Sequence, residues 1–186
     1  MRRKALRSAI SLSLLISGVS LISPQTANAS LYAFTSHTFT NCSITGPSGP
    51  TTGNCRTAYS TTWDESDSNY TNTGGIQYWT VPSTGRYYID AYGAGGGGTF
   101  GGNGARMADT FDLNQGEVIR ILVGQPQSGT STSANAGGGG TFVVRTPFNT
   151  NGSILVIAGG GAGAESSSSQ QANAHASTTT SGNAGN

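Results

Sequence analysis

In the stretch EVIRILV, residues 117–123, Glu117, Ile119, Ile121 and Val123 fall on one alternating set and Val118, Arg120 and Leu122 on the other. That is the two-residue period of a strand with apolar faces near a core. Six further segments read the same way: 32–40, 75–81, 86–92, 105–113, Thr141–Arg145 and 153–158, all rich in Val, Ile, Tyr, Phe and Thr. VPSTGRY sets Pro82 and Gly85 between two of them, and DLNQGEV sets Asn114 and Gly116 between two more, which predicts two hairpins. No convincing amphipathic helix follows residue 29. Short strands on turn-linked spacing predict an all-β chain, an antiparallel sandwich or jelly roll.

Two polar stretches stand outside the strands. WDESDSNYTNTGG, 63–75, reads as a loop. Asp67, Asn69 and Thr71 are spaced like the start of a calcium loop, but its sixth position is Asn72 rather than Gly and its twelfth is Tyr78 rather than Glu. A solvated loop is the better reading. From Glu165 the chain becomes ESSSSQQANAHASTTTSGNAGN, a low-complexity tail whose composition by itself predicts disorder.

The amino terminus changes the frame. MRRKALR is basic, AISLSLLISGVSLI is apolar but short of the ~20 residues that a membrane span needs, and Ala27-Asn28-Ala29 is a small-x-small cleavage site. This predicts a secretory signal peptide over 1–29, cut between Ala29 and Ser30, with a bacterial look. No later run is long and apolar enough to span a bilayer. The expected divisions are 1–29 as leader, 30–165 as one domain, and 166–186 as the tail.

Charge and cysteines then narrow the function. Of the nine basic residues, Arg2, Arg3, Lys4 and Arg7 leave with the leader, so five arginines face eight acids and the mature net charge is −3. A nucleic-acid binder needs a basic face, which this chain cannot build. An exported chain with two cysteines, Cys42 and Cys55, favours one disulfide around the turn-rich loop SITGPSGPTTGN. Its closure would remove about 3 kcal/mol of unfolded-chain entropy. A metal or redox pair lacks both CxxC spacing and a His or Cys cluster.

Three glycine runs interrupt the strands, at 93–104, 137–140 and 159–163. Gly93, Gly95 and Gly98 fit GxGxxG, and Gly159, Gly161 and Ala164 fit GxGxxA, each after a strand. A dinucleotide site needs a helix after the glycines, and neither run leads into a helical sequence. Flexible linkers join domains, whereas these runs lie between core strands. Ordered polyglycine fits better. Chains without Cβ atoms, extended at three residues per turn as in polyproline II (PPII), can approach closely and share N–H···O=C bonds. Ordering four glycines costs about 2–4 kcal/mol relative to alanine. Several runs side by side offset that with bonds worth about 1 kcal/mol each. The structural glycines expected on this reading are Gly93, Gly95, Gly96, Gly97, Gly98, Gly137, Gly138, Gly139, Gly140, Gly159, Gly160 and Gly161.

The blocks FTNCSITGPSGPTTGNCRTAY, GGIQYWTVPSTGRYYIDAYGAGGG, FDLNQGEVIRILVGQ, AGGGGTFVV and ILVIAGGGAGA together resemble the extracellular glycine-rich domain of the anaplastic lymphoma kinase and leukocyte tyrosine kinase receptors. The resemblance covers about residues 34–164. It implies a tumour-necrosis-factor-like (TNF-like) sandwich with an added layer of packed glycine helices, and it aligns Cys42 and Cys55 with the family's early paired cysteines. It also implies the ligand-binding side of those receptors, not their kinase: no ATP-binding glycine loop with its strand lysine, no HRD and no DFG stands in this sequence. The family's domain runs on into further glycine tracts, so an end at GNAGN predicts a truncated or divergent bundle.

The expected function is an exported, non-catalytic binding or adhesion module for an extracellular protein or glycan. Tyr78, Trp79, Tyr87, Tyr88 and Tyr92 are candidate contact residues, with about half expected in the core. A structural surface component that self-associates is the alternative. An exported enzyme is the weakest reading. His37, His175 and scattered Ser and Asp make no GxSxG, HExxH or two-carboxylate signature, and neither a cofactor nor a metal is expected.

Overall fold

A computed structural model describes residues 29–127, 136–163 and 174–179. Strands β1 (Tyr70–Thr73), β2 (Ile76–Thr80), β5 (Val118–Leu122), β6 (Thr141–Arg145) and β7 (Ile154–Ala158) form one antiparallel sheet in the order β1-β2-β5-β6-β7. Strands β3 (Gly85–Tyr92) and β4 (Arg106–Leu113) form a second, two-stranded sheet. The described residues form an all-β sandwich to which a short helix, α1 (Thr52–Tyr59), is added.

The inner faces meet over Tyr70, Trp79, Val81, Leu113, Ile119, Ile121, Val143 and Val156, all buried. One polar side chain belongs to this core. Gln77 is fully buried, its Oε1 accepts from the Tyr59 and Tyr70 hydroxyls at 2.5 and 2.9 Å, and its Nε2 donates to the Thr40 carbonyl at 2.8 Å. With three partners the amide avoids the penalty of an unpaired buried polar group.

The two expected hairpins are corrected. β2 pairs with β1 and β5, not with β3, and β4 pairs with β3, not with β5. The Pro82–Gly85 and Asn114–Gly116 turns instead carry the chain from one sheet to the other. They lie side by side: the Val81 amide donates to the Glu117 carbonyl at 2.8 Å, and Gly116 donates to the Val81 carbonyl at 2.9 Å. The tight hairpin is β1–β2, across Gly74 and Gly75 at φ +59° and +80°, a pair of left-handed residues suited to a two-residue turn.

Three other segments differ from expectation. Residues 32–40 join no sheet; Tyr32 and Phe34, and after a slip in the alternation at residues 35–36 His37 and Phe39, are the partly buried positions, where Tyr32 stacks on Trp63 (ring centroids 5.9 Å) and Phe34 meets Trp79 (5.0 Å). Ring packing replaces a hydrogen-bonded ladder there. The presumed loop 63–75 contains β1. The cysteine loop leads into α1, whose start is a capping box: Thr51 Oγ1 accepts from the Asn54 amide at 3.3 Å, and Asn54 Oδ1 accepts from the Thr51 amide at 2.9 Å. Cys55 is the residue α1 buries, so the helix has no apolar stripe to betray it in sequence.

Candidate functional site

Antiparallel pairing brings the ends of β3, β5 and β7 and the starts of β4 and β6 to one edge of the sandwich, so the chain segments leaving them emerge together. Buried Thr141 fastens the junction: its Oγ1 donates to the Tyr92 carbonyl at 2.6 Å and accepts from the Gly124 amide at 2.9 Å. Beyond it the backbone bonds step by three residues. Gly93 and Gly96 donate to Ala105 and Gly102; Ala105 and Gly102 donate to Gly159 and Ala162; Ala94 and Gly97 donate to Gly139 and Ala136, all at 2.8–3.0 Å. Three residues is the repeat of a polyproline II chain. Gly138 donates to Gly161 at 2.8 Å and Gly161 to Ala94 at 2.9 Å, so the tracts form a bundle rather than a ribbon. The segment read as tail takes part: Ala162 donates to the Ala174 carbonyl at 2.8 Å, Ala176 to the Asn103 carbonyl at 2.9 Å, and the Asn103 amide to His175 Nδ1 at 3.0 Å.

The close approach is what demands glycine. A Cβ at Gly96, Gly138 or Gly160 would overlap the carbonyl of Ala162, Ala94 or Gly138 respectively. At Gly95 and Gly159 it would meet only ordinary contacts at 3.5 and 3.8 Å. The run at Gly93–Gly95–Gly98 leads into no helix, which leaves a dinucleotide's pyrophosphate without the helix end it requires.

The remaining sequence candidates separate by environment. Cys42 and Cys55 are joined as a buried disulfide. Ala29 and Ser30 open the described chain, with the Ala29 carbonyl accepting from Gln115 Nε2 at 2.6 Å; the leader through residue 28 lies outside the described residues. In the polar loop, Asp67 pairs with Arg56 at 2.7 Å and Asn69 Nδ2 donates to the Trp63 carbonyl at 2.9 Å. Among the described residues no group of three or more His, Cys, Asp or Glu could hold a metal ion. His37 packs edge-on to Tyr59, Phe39 and Trp63 at 4.3–4.9 Å, and burial lowers its pKa against the opposing pull of Asp64.

The aromatic candidates divide between core and surface. Trp79 is core, and Tyr87 packs against it at 5.6 Å. Tyr88 and Tyr92 stand 64% and 56% exposed on the outer face of β3–β4. There Asp90 accepts from Arg106 Nε and Nη2, both at 2.9 Å, and from the Tyr92 hydroxyl at 3.1 Å.

The outer face of the five-stranded sheet carries a feature the strand list did not single out. Leu122, Phe142 and Ile157 are direct partners across β5, β6 and β7, and all are exposed. Ile76 extends that row onto β2. The next row runs Tyr78, Arg120, Val144, Ile154. An antiparallel sheet that faces water usually alternates apolar with polar residues. The runs VIRIL, TFVVR and ILVIA break that rule, and this is the signal by which sequence could have found the face.

No protein-family model matches the chain. Among curated proteins, the leukocyte tyrosine kinase receptor of Mus musculus is 38% identical over 98 residues, taking in 47% of this chain and 10% of the receptor. The chain therefore corresponds to a small part of that receptor's length, and the similarity shows a distant relationship to its family. The described residues contain no helix long and apolar enough to cross a membrane. The disulfide fits an extracellular domain.

Proposed function

We propose that the chain is an exported, non-catalytic binding or adhesion module of the cell surface or extracellular space, taking an extracellular protein or glycan ligand. The observation that carries this reading is the in-register apolar row Leu122–Phe142–Ile157, held exposed on a sheet whose other face is already filled by the core. A contiguous apolar patch on a rigid element costs solubility and is the usual mark of an interaction surface. The partial similarity to a receptor supports the same reading, while that receptor's activity and ligands belong to a much longer protein.

The test is binding of the purified, oxidised chain to cells and to a glycan array, with Phe142→Ser and Ile157→Ser as paired variants. Saturable binding that both variants lose, with thermal stability retained, is the expected result. Binding indifferent to both would remove this face from the proposal, and no binding to any surface would remove the function. The second reading is a structural component that self-associates, because the same apolar row can bury against another copy. Sedimentation at micromolar concentration separates the two: a concentration-dependent oligomer that Phe142→Ser abolishes favours the structural reading.

A further inference from the structure

Four of the five arginines beyond the leader have a carboxylate partner: Arg56 with Asp67 at 2.7 Å, Arg86 with Asp112 at 3.7 Å, Arg106 with Asp90 at 2.9 Å and Arg145 with Glu117 at 2.5 Å. Among the described residues Arg120 forms no such pair, and its Nε is buried without an acceptor. Arg120 lies on β5, the middle strand of the five, on the outer face between Tyr78 of β2 and Val144 of β6. Its guanidinium carbon is 3.7 Å from the Phe148 ring centroid and 5.1 Å from that of Tyr78. The cation is thus clamped between two rings rather than left to wander in solvent. Phe148 reaches its place with φ at +71°, a region that bulky residues rarely occupy. The surroundings must hold that backbone in place.

The clamp sits beside Leu122, Phe142, Ile154 and Ile157. At the usual strand spacing and rise, five strands of about five residues make a face about 19 Å by 17 Å. That is smaller than the ~800 Å² that each partner buries in a standard interface, so the face can form the apolar core of one but not the whole of it. Covering the face with apolar groups alone would strip water from a guanidinium that has no anion, a severe penalty. A second copy docked about a two-fold axis would set Arg120 near Arg120, and the strand positions of this face carry no acid to separate them. The charge pattern calls for a different molecule, apolar with one carboxylate. Arginine stacked between rings is also the residue type most enriched, with aromatics, at the energetic centre of interfaces.

We propose that the outer face of the five-stranded sheet docks a protein partner through an aspartate or glutamate set among aliphatic side chains, with Arg120 as the anchor. This rests on reading the chain as a binding module and adds the chemistry of what it binds.

The test is selection of a phage-displayed random peptide library on the full, oxidised chain, followed by affinity measurements on the enriched peptides. The expected peptides carry Asp or Glu flanked by Leu, Ile, Val or an aromatic. Arg120→Gln and Phe142→Ser each weaken them about tenfold or more, whereas Tyr88→Ala leaves them unchanged. Replacing the peptide's acid by its amide weakens binding to the wild type by a similar factor but has little further effect on Arg120→Gln, the signature of a direct pair. Arg120→Lys, which keeps the charge and loses the fork, falls between. Retained melting temperature shows that each variant is folded. Peptides that need no acid, or that ignore Arg120→Gln, overturn the proposal. Peptides lost only in Tyr88→Ala overturn it while sparing the binding-module reading. A dimer in sedimentation that Phe142→Ser dissociates assigns the face to a second copy instead, and failure to enrich any peptide on this face also counts against the proposal.

Discussion

The amide of Gly138 donates to the carbonyl of Gly161 at 2.8 Å, although the β6–β7 hairpin separates the two glycines in sequence. The bond exists because the sheet delivers both tracts to one edge and neither carries a Cβ to hold the backbones apart. Neighbouring glycines differ sharply in what they tolerate. A Cβ at Gly160 would overlap the Gly138 carbonyl, while one at Gly159 would rest 3.8 Å from the Ala176 Cβ. Gly160→Ala is expected to cost about 1–3 kcal/mol or more through forced backbone shifts. It should also abolish hydrogen-exchange protection at Gly138, Gly161 and Gly102. Gly159→Ala should leave both intact. Equal losses, or rapid exchange of these amides in the wild type, would reduce the tracts to connectors.

Much of this arrangement was legible because glycine runs and apolar alternation are local signals. Six of the seven expected strands stand within a residue or two of their predicted places. What the sequence did not reveal was which sheet a turn connects. Pro82 and Gly85 announce a reversal, yet only the packed inner faces decide that β3 leaves the sheet of β2. Residues 32–40 have apolar rings at nearly strand spacing, but the alternation slips between Phe34 and His37 and the rings pack on Trp63 and Trp79 instead of joining a ladder. The runs VIRIL, TFVVR and ILVIA hint locally at an apolar outer face, but the alignment of Leu122, Phe142 and Ile157 into one row depended on register between distant strands.

The helix α1 should depend on its crosslink. It buries Cys55 and little else, and Cys42 ties it back across a separation of 13 residues. The paired Cys42→Ser, Cys55→Ser variant is expected to lose about 3 kcal/mol, chiefly by freeing the unfolded chain. Chemical denaturation of oxidised and reduced protein measures this directly. A difference below about 1 kcal/mol would mean that packing around Tyr59 and Gln77 holds the segment by itself.

His37 should make the fold acid-sensitive. Its neutral ring lies edge-on to three aromatic neighbours, and burial lowers its pKa from 6.5. The unfolded chain therefore binds this proton more readily than the folded one. The stabilising contribution is complete above the unfolded value near 6.5 and is lost as pH falls through that value towards the folded pKa. Melting temperature should decline as pH falls below about 6.5. Much of that slope should vanish in His37→Gln, whose amide does not titrate. A slope unchanged by the substitution would place the titration elsewhere.

Ile121 and Leu122 are neighbours on β5 that face opposite ways, and they give the sharpest test of the apolar outer surface. Ile121 is 6% exposed within the core; Leu122 is 38% exposed beside Phe142. Truncating Ile121 to Ala leaves a cavity and should cost about 2–5 kcal/mol. Leu122→Thr keeps a strand-compatible branched side chain and gives up contacts that are already half in water. It should alter stability by no more than about 0.5 kcal/mol while raising solubility. Denaturant titration of the two variants decides the matter. If Leu122→Thr is as damaging as Ile121→Ala, the outer row is core covered by the chain itself. If it is neutral, the row contributes nothing to folding that explains its composition, and the remaining explanation for four exposed apolar side chains around a clamped arginine is contact with another molecule.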